Sequence, residues 1–312
     1  MARLDPPVLT RRHVLKGLAA LAVATALHPG AVRATASGPH TRAVPSSGER
    51  LPVIGLGTSR TFDVGTAETE RAALRDVLRL FVEHGGRVVD TSPMYGNAER
   101  VVGELAGELG LHDKLFLATK VWTSGEQAGV EQMRASMDRL QARRLDLMQV
   151  HNLVDTDTHL RTLAEWKQQG LVRYVGITHY RSDAFDDLAA VIRSHPLDFV
   201  QLNYSLEEPE AEQALLPLAA DRGVAVIVNR PFARGDLFRR LRGREVPPWA
   251  AELDIDTWAQ FLLKFVVGHL AVTCAIPATS KPKHLVDNMQ AGYGALPDEP
   301  TRRRMLQGLR DL

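Results

Sequence analysis

Three ionisable residues follow apolar runs of the sequence at nearly equal intervals. Asp90, Lys120 and His151 each stand where such a run ends, and Tyr95 lies among turn-forming residues just after Asp90. A tyrosine is a poor acid at neutral pH, but a neighbouring ammonium favours its phenolate and lowers its pKa. We therefore expect Lys120 to tune Tyr95 as a general acid and Asp90 to hold Lys120. His151 would orient a polar substrate atom.

These residues can meet only if the apolar runs are neighbouring strands of one sheet. After about residue 50, eight short runs rich in Val, Ile and Leu alternate with helical patterns, which predicts a parallel sheet covered by helices. About 275 residues follow residue 36, which suits a single-domain α/β fold, the (β/α)8 TIM barrel, with its active site at the carboxyl ends of the strands. The predicted strands are Val53–Leu56, Arg87–Val89, Leu115–Thr119, Leu145–Val150, Val172–Ile177, Phe199–Leu202, Val224–Val228 and Val272–Ile276.

An open, doubly wound sheet is the alternative architecture. Such a sheet should carry a Gly-rich phosphate loop after its first strand, and the segment Gly55–Arg60 lacks the third glycine of that fingerprint.

The stretch 230–253 is the longest irregular segment, and loops of that length are usually functional. The predicted helices span 68–84, 97–109, 126–142, 157–169, 182–194, 210–221, 254–267, 281–291 and 299–310.

The first 36 residues have the pattern of a targeting signal. Arg11 and Arg12 precede the apolar run Gly17–Leu27, which is shorter than the ~20 residues that span a bilayer. This order resembles the twin-arginine export signal. It predicts a signal peptide over 1–36, a barrel domain over 37–312, recognition of a cytoplasmic precursor by the twin-arginine translocation machinery, and a periplasmic protein. A cytosolic amphipathic helix or anchor is the alternative.

The composition argues against several classes of protein. Hydrophobic residues at 45% and charged residues at 24% are typical of a globular chain with a sizeable core. Cys274 is the only cysteine, so an intramolecular disulfide and a cysteine-based zinc finger are excluded. Without its basic N-terminus the chain is mildly acidic, so it lacks the positive net charge that is typical of nucleic-acid-binding proteins. A metal held by Asp90 and His151 is disfavoured because Lys120 opposes a cation.

The segments that carry the four residues resemble the aldo-keto reductases. Val88–Glu99, Ala118–Lys120 and Asp146–Asn152 occur in the family's order, and its Asp, Tyr, Lys and His tetrad matches residue for residue. The resemblance covers about residues 50–292. It implies a TIM barrel, a nicotinamide cofactor that is usually NADPH, and reduction of aldehydes or ketones to alcohols by hydride transfer. Tyr95 would be the general acid.

The resemblance also implies the cofactor contacts. Thr178, His179 in place of the usual Asn, and Gln201 would face the carboxamide of the nicotinamide. Where the family often has Tyr-Ser-Pro-Leu, this chain has Asn229, Arg230, Pro231 and Phe232, so the aromatic residue that usually stacks on the ring is lost. Either Phe232 compensates from a shifted position, or the ring lies against an aliphatic surface or Arg230. The remaining contacts, to the phosphates and adenine, would be Arg234, Gly235, Thr279, Ser280, Lys281, His284, Asp287 and Asn288.

The helix predicted at 281–291 would begin at a phosphate site. Thr279 or Ser280 can cap it, and a helix N-terminus receives anions well. His284 stands where the family often has an arginine for the 2′-phosphate, but Lys281 and Lys283 still supply positive charge. We therefore expect NADPH rather than NADH.

The substrate is the least specified part of the prediction. Met94, Trp122 and Phe62 are candidates for the pocket that holds a small-molecule carbonyl compound. A cofactor-binding regulatory or partner protein with little turnover is the alternative function.

We expect a monomer or a weak oligomer. Because a nicotinamide enzyme outside the cytoplasm has no obvious NADPH supply, we also expect export with the cofactor already bound.

Overall fold

The main sheet is a barrel of eight parallel strands that lie side by side in chain order. A computed structural model describes residues 38–310 of the chain. Parallel bridges pair Ile54 with Ala275 and Gly57 with Ala278, so the first strand of the barrel meets the last. This is the predicted TIM barrel. Its strands are β3 (Leu56–Gly57), β4 (Val88–Asp90), β5 (Phe116–Val121), β6 (Leu145–His151), β7 (Val172–Thr178), β8 (Phe199–Asn203), β9 (Ala225–Asn229) and β10 (Val272–Ala275).

Helices cover the outside of the barrel and bury apolar residues against it. The first buries Leu74, Val77, Leu78 and Phe81, which recur at the three- and four-residue spacing of a helical stripe. The helices are α1 (Glu68–Glu83), α2 (Ala98–Glu108), α3 (Glu126–Arg139), α4 (Thr156–Gln168), α5 (Phe185–Ser194), α6 (Leu215–Asp221), α7 (Asp236–Arg240), α8 (Trp258–Gly268), α9 (Pro282–Gln290) and α10 (Glu299–Arg310).

An antiparallel hairpin that the sequence analysis missed packs against the interior of the barrel. Its strands are β1 (Thr41–Ala43) and β2 (Arg50–Pro52), and Leu51 belongs to the hydrophobic cluster inside the barrel. Glu49 accepts hydrogen bonds from Arg173 Nη2 at 2.5 Å and from the Tyr174 hydroxyl at 2.8 Å. The hairpin is therefore fixed to the barrel by apolar burial and by a charged contact.

The predicted strands agree with the observed ones, except at the first. Strand β3 covers only Leu56–Gly57 instead of Val53–Leu56. The preceding residues contact β10, at the seam where the first and last strands of the barrel meet, through isolated hydrogen bonds and not through a continuous ladder. Gly55 N donates to Ala275 O at 2.8 Å, and Ala275 N donates to Val53 O at 2.9 Å. The other predicted strands end within two residues of the observed ones.

The start of α8 and the stretch 230–253 differ from the prediction for local reasons. Helix α8 starts at Trp258 rather than at 254, because Asp254 has a left-handed φ of 54° and Thr257 caps the helix by accepting from Gln260 N. The stretch 230–253 is less irregular than expected, since it contains α7 and a 3₁₀ turn over Pro248–Leu253.

The predicted helix over 210–221 is divided in the structure. A 3₁₀ turn over Glu210–Glu212 precedes α6, and Ala214 between them departs from helical backbone angles.

The predicted signal peptide lies outside the described residues. Within 38–310, no helix is both long enough and apolar enough to cross a membrane.

The barrel seam predicts a specific sensitivity at Gly57. A Cβ at this position would lie 2.7 Å from Ile276 O, a backbone atom that cannot move away easily. We expect Gly57→Ala to lower the free energy of unfolding by about 1–3 kcal/mol in urea denaturation, because overpacking forces the backbone to shift. Gly65→Ala is the matched control, since nothing lies within 4 Å of its added Cβ. Equal stability of the two variants would contradict a tightly closed seam.

Candidate active site

A buried ion pair lies at the carboxyl ends of two neighbouring strands. Lys120 Nζ is 2.7 Å from Asp90 Oδ2 and also donates to Thr91 O at 2.8 Å. The Lys120 side chain is 0% exposed and that of Asp90 3%. Strand β5 continues to Val121, so Lys120 lies inside the strand and not after it as expected. Removing two charges from water is costly, and such a pair is stable only when its remaining polar atoms are also bonded.

Two buried amides complete the bonding of the carboxylate. Gln201 Nε2 donates to Asp90 Oδ1 at 2.7 Å, and Gln149 Nε2 donates to the same oxygen at 3.2 Å. Asp90 is thus an anchor with both oxygens occupied. The sequence analysis missed Gln149, although it is a polar residue in an apolar strand and shares a face with His151, two positions later.

Tyr95 lies in the turn after β4, directly above the ion pair. Lys120 Nζ is 5.1 Å from the centroid of the Tyr95 ring. Burial raises the pKa of Tyr95 above its usual value, although the charge of Lys120 acts to lower it. The expected lowering of the Tyr95 pKa is therefore wrong, because desolvation of the phenolate outweighs the attraction to the ammonium. Tyr95 keeps its proton at neutral pH, as a proton donor must.

Lys120 keeps its charge despite complete burial. Burial alone would lower its pKa, but the charge of Asp90 and the hydrogen bonds of Asp90 and Tyr95 more than compensate, and the pKa lies above its usual value. The pair thus places a permanent positive charge beside the hydroxyl of Tyr95.

His151 ends β6 and forms the wall of the cleft next to Tyr95. Its ring lies edge-on to Tyr95, with centroids 6.2 Å apart, and 6.1 Å from the ring of Trp122. Burial, assisted by the positive charge of Lys120 and by His179, lowers the pKa of His151 to about 3. The imidazole is therefore neutral at physiological pH and can form hydrogen bonds to a substrate without adding a charge.

Most of the predicted site residues line one cleft of about 720 Å³ at this end of the barrel. That volume is typical of small-molecule and cofactor sites. Lys120 lies beneath it. The predicted residues in its wall are Asp90, Met94, Tyr95, Trp122, His151, Thr178, Gln201, Asn229, Arg230, Pro231, Phe232, Arg234 and Gly235. Wall residues that the sequence analysis did not single out include Thr58, Ser59, Arg60, Thr61, Asn152, Tyr180 and Phe238.

Phe62 and His179 are predicted residues that do not face this cleft. Phe62 is fully buried in the core between barrel and helices, so its assignment to the substrate pocket is corrected. Its amide donates to Thr58 O at 3.1 Å and closes a turn that carries the ring into the core. The ring of His179 stacks on Tyr180, and its Nδ1 accepts from Arg181 N at 3.2 Å. The structure therefore gives no support for a contact between His179 and a carboxamide.

The turn before α9 also differs from expectation. Lys281, not Thr279 or Ser280, is the residue that precedes the helix, and no side chain caps it. Thr279 Oγ1 instead accepts from Lys281 N at 3.1 Å, which stabilises the turn itself. Pro282 occupies the first helical turn, where its fixed backbone angle is compatible with a helix.

The predicted adenine and 2′-phosphate contacts lie on α9, apart from the cleft. The Asp287 carboxylate accepts from Thr257 Oγ1 at 2.9 Å and from Gln260 Nε2 at 2.8 Å, and so ties α9 to α8. Asn288 is buried, whereas His284 is exposed.

The cleft has the donor and acceptor groups that a nicotinamide dinucleotide requires. Asn229 Oδ1 is buried without a partner among the described residues, so it can accept from an amide group of a ligand. Arg230 has the ring of Tyr180 as its neighbour, 4.0 Å away, and neither Arg230 nor Arg234 pairs with a carboxylate within residues 38–310. Both are free to bind phosphate. Nothing lies within 4 Å of a Cβ built on Gly235, which leaves room for a ligand.

No group of three or more His, Cys, Asp or Glu side chains suited to a metal ion occurs in the part of the chain that the structure describes.

Fold and site together define a barrel oxidoreductase, and comparison with known proteins gives its family. The profile of the aldo/keto reductase family matches residues 53–303, most of the chain. The protein belongs to the aldo/keto reductase family and is an oxidoreductase of that family.

Individual relatives share only 25–29% of their aligned residues with this chain, and each is named as a reductase. Methylglyoxal reductase YeaE of Escherichia coli (strain K12) is 29% identical over 246 residues, which are 76% of this chain and 84% of that protein. Aldo-keto reductase YhdN of Bacillus subtilis (strain 168) is 29% identical over 197 residues, 58% of this chain and 59% of the relative's length. An aldo/keto reductase from Klebsiella pneumoniae, solved with NADP and acetate, superposes with a TM-score of 0.72 at 25% identity over 84% of this chain and 93% of its own.

The buried ion pair predicts a large cost for removing one partner alone. We expect Lys120→Met to lower the free energy of unfolding by about 3–5 kcal/mol, because the charge of Asp90 remains buried without its partner. The double variant Asp90→Asn with Lys120→Met should recover at least half of that loss. Urea denaturation measures both, with the exposed Lys114→Met as control. A single variant as stable as wild type would show that the pair carries no buried charge.

Proposed function

We propose that the protein is an NADPH-dependent reductase that converts aldehydes or ketones to alcohols, with Tyr95 as the general acid. The observation that carries this proposal is the arrangement of Tyr95 over Lys120. The phenol is protonated at neutral pH, since burial raises a pKa that is already alkaline, and it stands beside an ammonium that Asp90 holds at 2.7 Å. A hydroxyl in this setting can donate a proton to an oxygen that is gaining negative charge.

Residues of this chain carry out the proton transfer of the proposed reaction. When bound, the nicotinamide supplies a hydride to the carbonyl carbon. Tyr95 donates its proton to the carbonyl oxygen, and Lys120 stabilises the phenolate that remains. Asp90 keeps Lys120 charged throughout, and neutral His151 hydrogen-bonds the same oxygen and fixes its direction.

The cofactor would be held by three groups of residues. Thr178, Gln201 and Asn229 would hold the amide end, and Arg230 and Arg234 the phosphates, with Gly235 leaving space for them. Lys281, which precedes α9, and Lys283 and His284 on the helix would attract a 2′-phosphate, and Asp287 and Asn288 would lie near the adenine. NADPH is preferred over NADH because of this positive charge. Structures of relatives with NADP and NADPH support the assignment.

The outer wall of the cleft suits small apolar carbonyl compounds. Met94 is 46% exposed there, and Trp122 and Phe238 are each 38% exposed, so an apolar group beside the carbonyl can cover surface that now faces water. Methylglyoxal, a small carbonyl compound with one methyl group, appears in the name of the Escherichia coli relative.

The proposal is tested by single-turnover kinetics of wild type and Tyr95→Phe. Stopped-flow fluorescence would follow the oxidation of bound NADPH by a panel of aldehydes and ketones that includes methylglyoxal. We expect Tyr95→Phe to lower the rate by about 10²–10⁴-fold, because the proton donor is lost, while the Kd for NADPH stays within about threefold. Tyr293→Phe is the matched control, since its hydroxyl donates to His84 O at 2.9 Å, away from the cleft. Tight NADPH binding without oxidation by any carbonyl would instead indicate a partner protein.

We also propose that the full chain is exported by the twin-arginine route with its cofactor bound. The support is the order of Arg11, Arg12 and the apolar run Gly17–Leu27. In a bacterial host with this pathway, we expect the periplasmic fraction to contain the protein with about one dinucleotide per chain. The paired substitution Arg11→Lys and Arg12→Lys should retain it in the cytoplasm. Wild-type protein found only in the cytosol would refute export.

A further inference from the structure

One buried hydroxyl connects the two side chains that face the substrate. Ser92 is 0% exposed and lies in the segment between Asp90 and Tyr95. Its Oγ accepts a hydrogen bond from Met94 N at 3.2 Å and lies 3.3 Å from His151 Nδ1. Ser92 therefore contacts both the turn that carries Tyr95 and the imidazole at the end of β6.

Counting hydrogens shows which atom donates in the bond to His151. A serine hydroxyl has one hydrogen and two lone pairs, and the amide of Met94 occupies one lone pair. Within residues 38–310, His151 Nδ1 is the only acceptor in hydrogen-bond contact with this hydroxyl. A buried hydroxyl without an acceptor costs free energy, so the satisfied arrangement has Ser92 donating and Nδ1 accepting.

The protonation state of His151 then fixes its remaining proton. Burial and the neighbouring Lys120 and His179 hold the pKa of His151 far below neutrality, so the ring carries a single N–H. With Nδ1 used as an acceptor, that hydrogen must be on Nε2. His151 lines the cleft, and no described residue is hydrogen-bonded to Nε2. Nε2 is thus left to donate to a ligand.

We propose that Ser92 is a positioning residue that holds His151 in its Nε2–H tautomer. The cleft then presents two hydrogen-bond donors, the phenol of Tyr95 and the Nε2–H of His151, to one substrate oxygen. The importance of this arrangement for turnover rests on the proposed reductase function, whereas the tautomer itself does not.

The backbone carbonyl of Ser92 also restrains the turn that carries Tyr95. Tyr95 N donates to Ser92 O at 3.0 Å, and at the other end of the turn Asn97 N donates to Asp63 Oδ1 at 2.9 Å. Among residues 38–310, Ser92 is the residue with hydrogen bonds to both Tyr95 and His151. Loss of its hydroxyl should loosen the direction of His151 while the backbone bond to Tyr95 remains.

The opposite tautomer would be unfavourable for both partners. If Nδ1–H donated to Ser92, the hydroxyl hydrogen would lack an acceptor in a fully buried position. Nε2 would then present a lone pair to the carbonyl oxygen, which repels it. The two tautomers therefore differ in whether His151 assists or opposes the binding of a carbonyl group.

The tautomer can be measured without turnover. Nitrogen-15 NMR of protein labelled at histidine distinguishes a protonated from an unprotonated ring nitrogen, and His151→Gln assigns the signals. We expect wild type to show an unprotonated Nδ1 that accepts a hydrogen bond and a protonated Nε2. In Ser92→Ala the Nδ1 signal should shift, because its donor is lost. Ser136→Ala is the matched control, since this buried hydroxyl on α3 has no partner within the described chain.

Steady-state kinetics of the same variants test the consequence for the reaction. We expect kcat/KM of Ser92→Ala to be about tenfold lower, which corresponds to about 1.4 kcal/mol, with NADPH affinity unchanged. Ser92→Thr keeps the hydroxyl and should restore most of the loss, and Ser136→Ala should equal wild type.

The outcomes separate the two proposals. A protonated Nδ1 in wild type, or an Nδ1 signal that does not change in Ser92→Ala, would overturn the role of Ser92. An Nε2–H tautomer that depends on Ser92 would uphold it. If no carbonyl compound is reduced although the tautomer depends on Ser92, the reductase function fails and the positioning of His151 stands.

Discussion

The charge of Lys120, enclosed in the barrel and balanced by Asp90, is the interaction on which the rest of the site depends. A buried ammonium without a partner would be too costly to keep, and a buried carboxylate likewise. The strands solve this by bringing Asp90 and Lys120 to adjacent positions, and Gln149 and Gln201 supply the remaining donors. Every member of this network would lose a partner if another moved, and this favours a single arrangement of the four side chains.

This network sets the properties of the two residues above it. The same positive charge that stabilises a phenolate at Tyr95 also opposes protonation of His151. One cation therefore produces two different results: a phenol whose conjugate base has a counter-ion, and an imidazole that stays neutral. Both results fit the proposed reductase function, in which a neutral carbonyl group binds and its oxygen receives a proton. Neither requires a metal ion.

The sequence predicts that the four tetrad residues lie together, because their position depends on the topology of the sheet. The direction of a side chain depends on packing, and the sequence predicts it poorly. Carboxyl ends of parallel strands meet at one edge, so Asp90, Lys120 and His151 could be placed together before any coordinates. Phe62 could not be assigned correctly, since a loop aromatic can face either the cleft or the core. The balance that decides the Tyr95 pKa was also inaccessible, because depth of burial is a property of the folded chain.

The N-terminal hairpin and the seam between β3 and β10 join parts of the chain that are far apart in sequence. Glu49 contacts Tyr174, 125 positions later, and Ile54 bridges to Ala275. Contacts of this kind raise the contact order, and a high contact order slows folding, because loop-closure entropy must be overcome before the contacts form. The barrel therefore cannot close on the ribosome until β10 has emerged. A partly synthesised chain would expose the inner faces of its strands, and we expect it to need protection by chaperones until the last strand arrives.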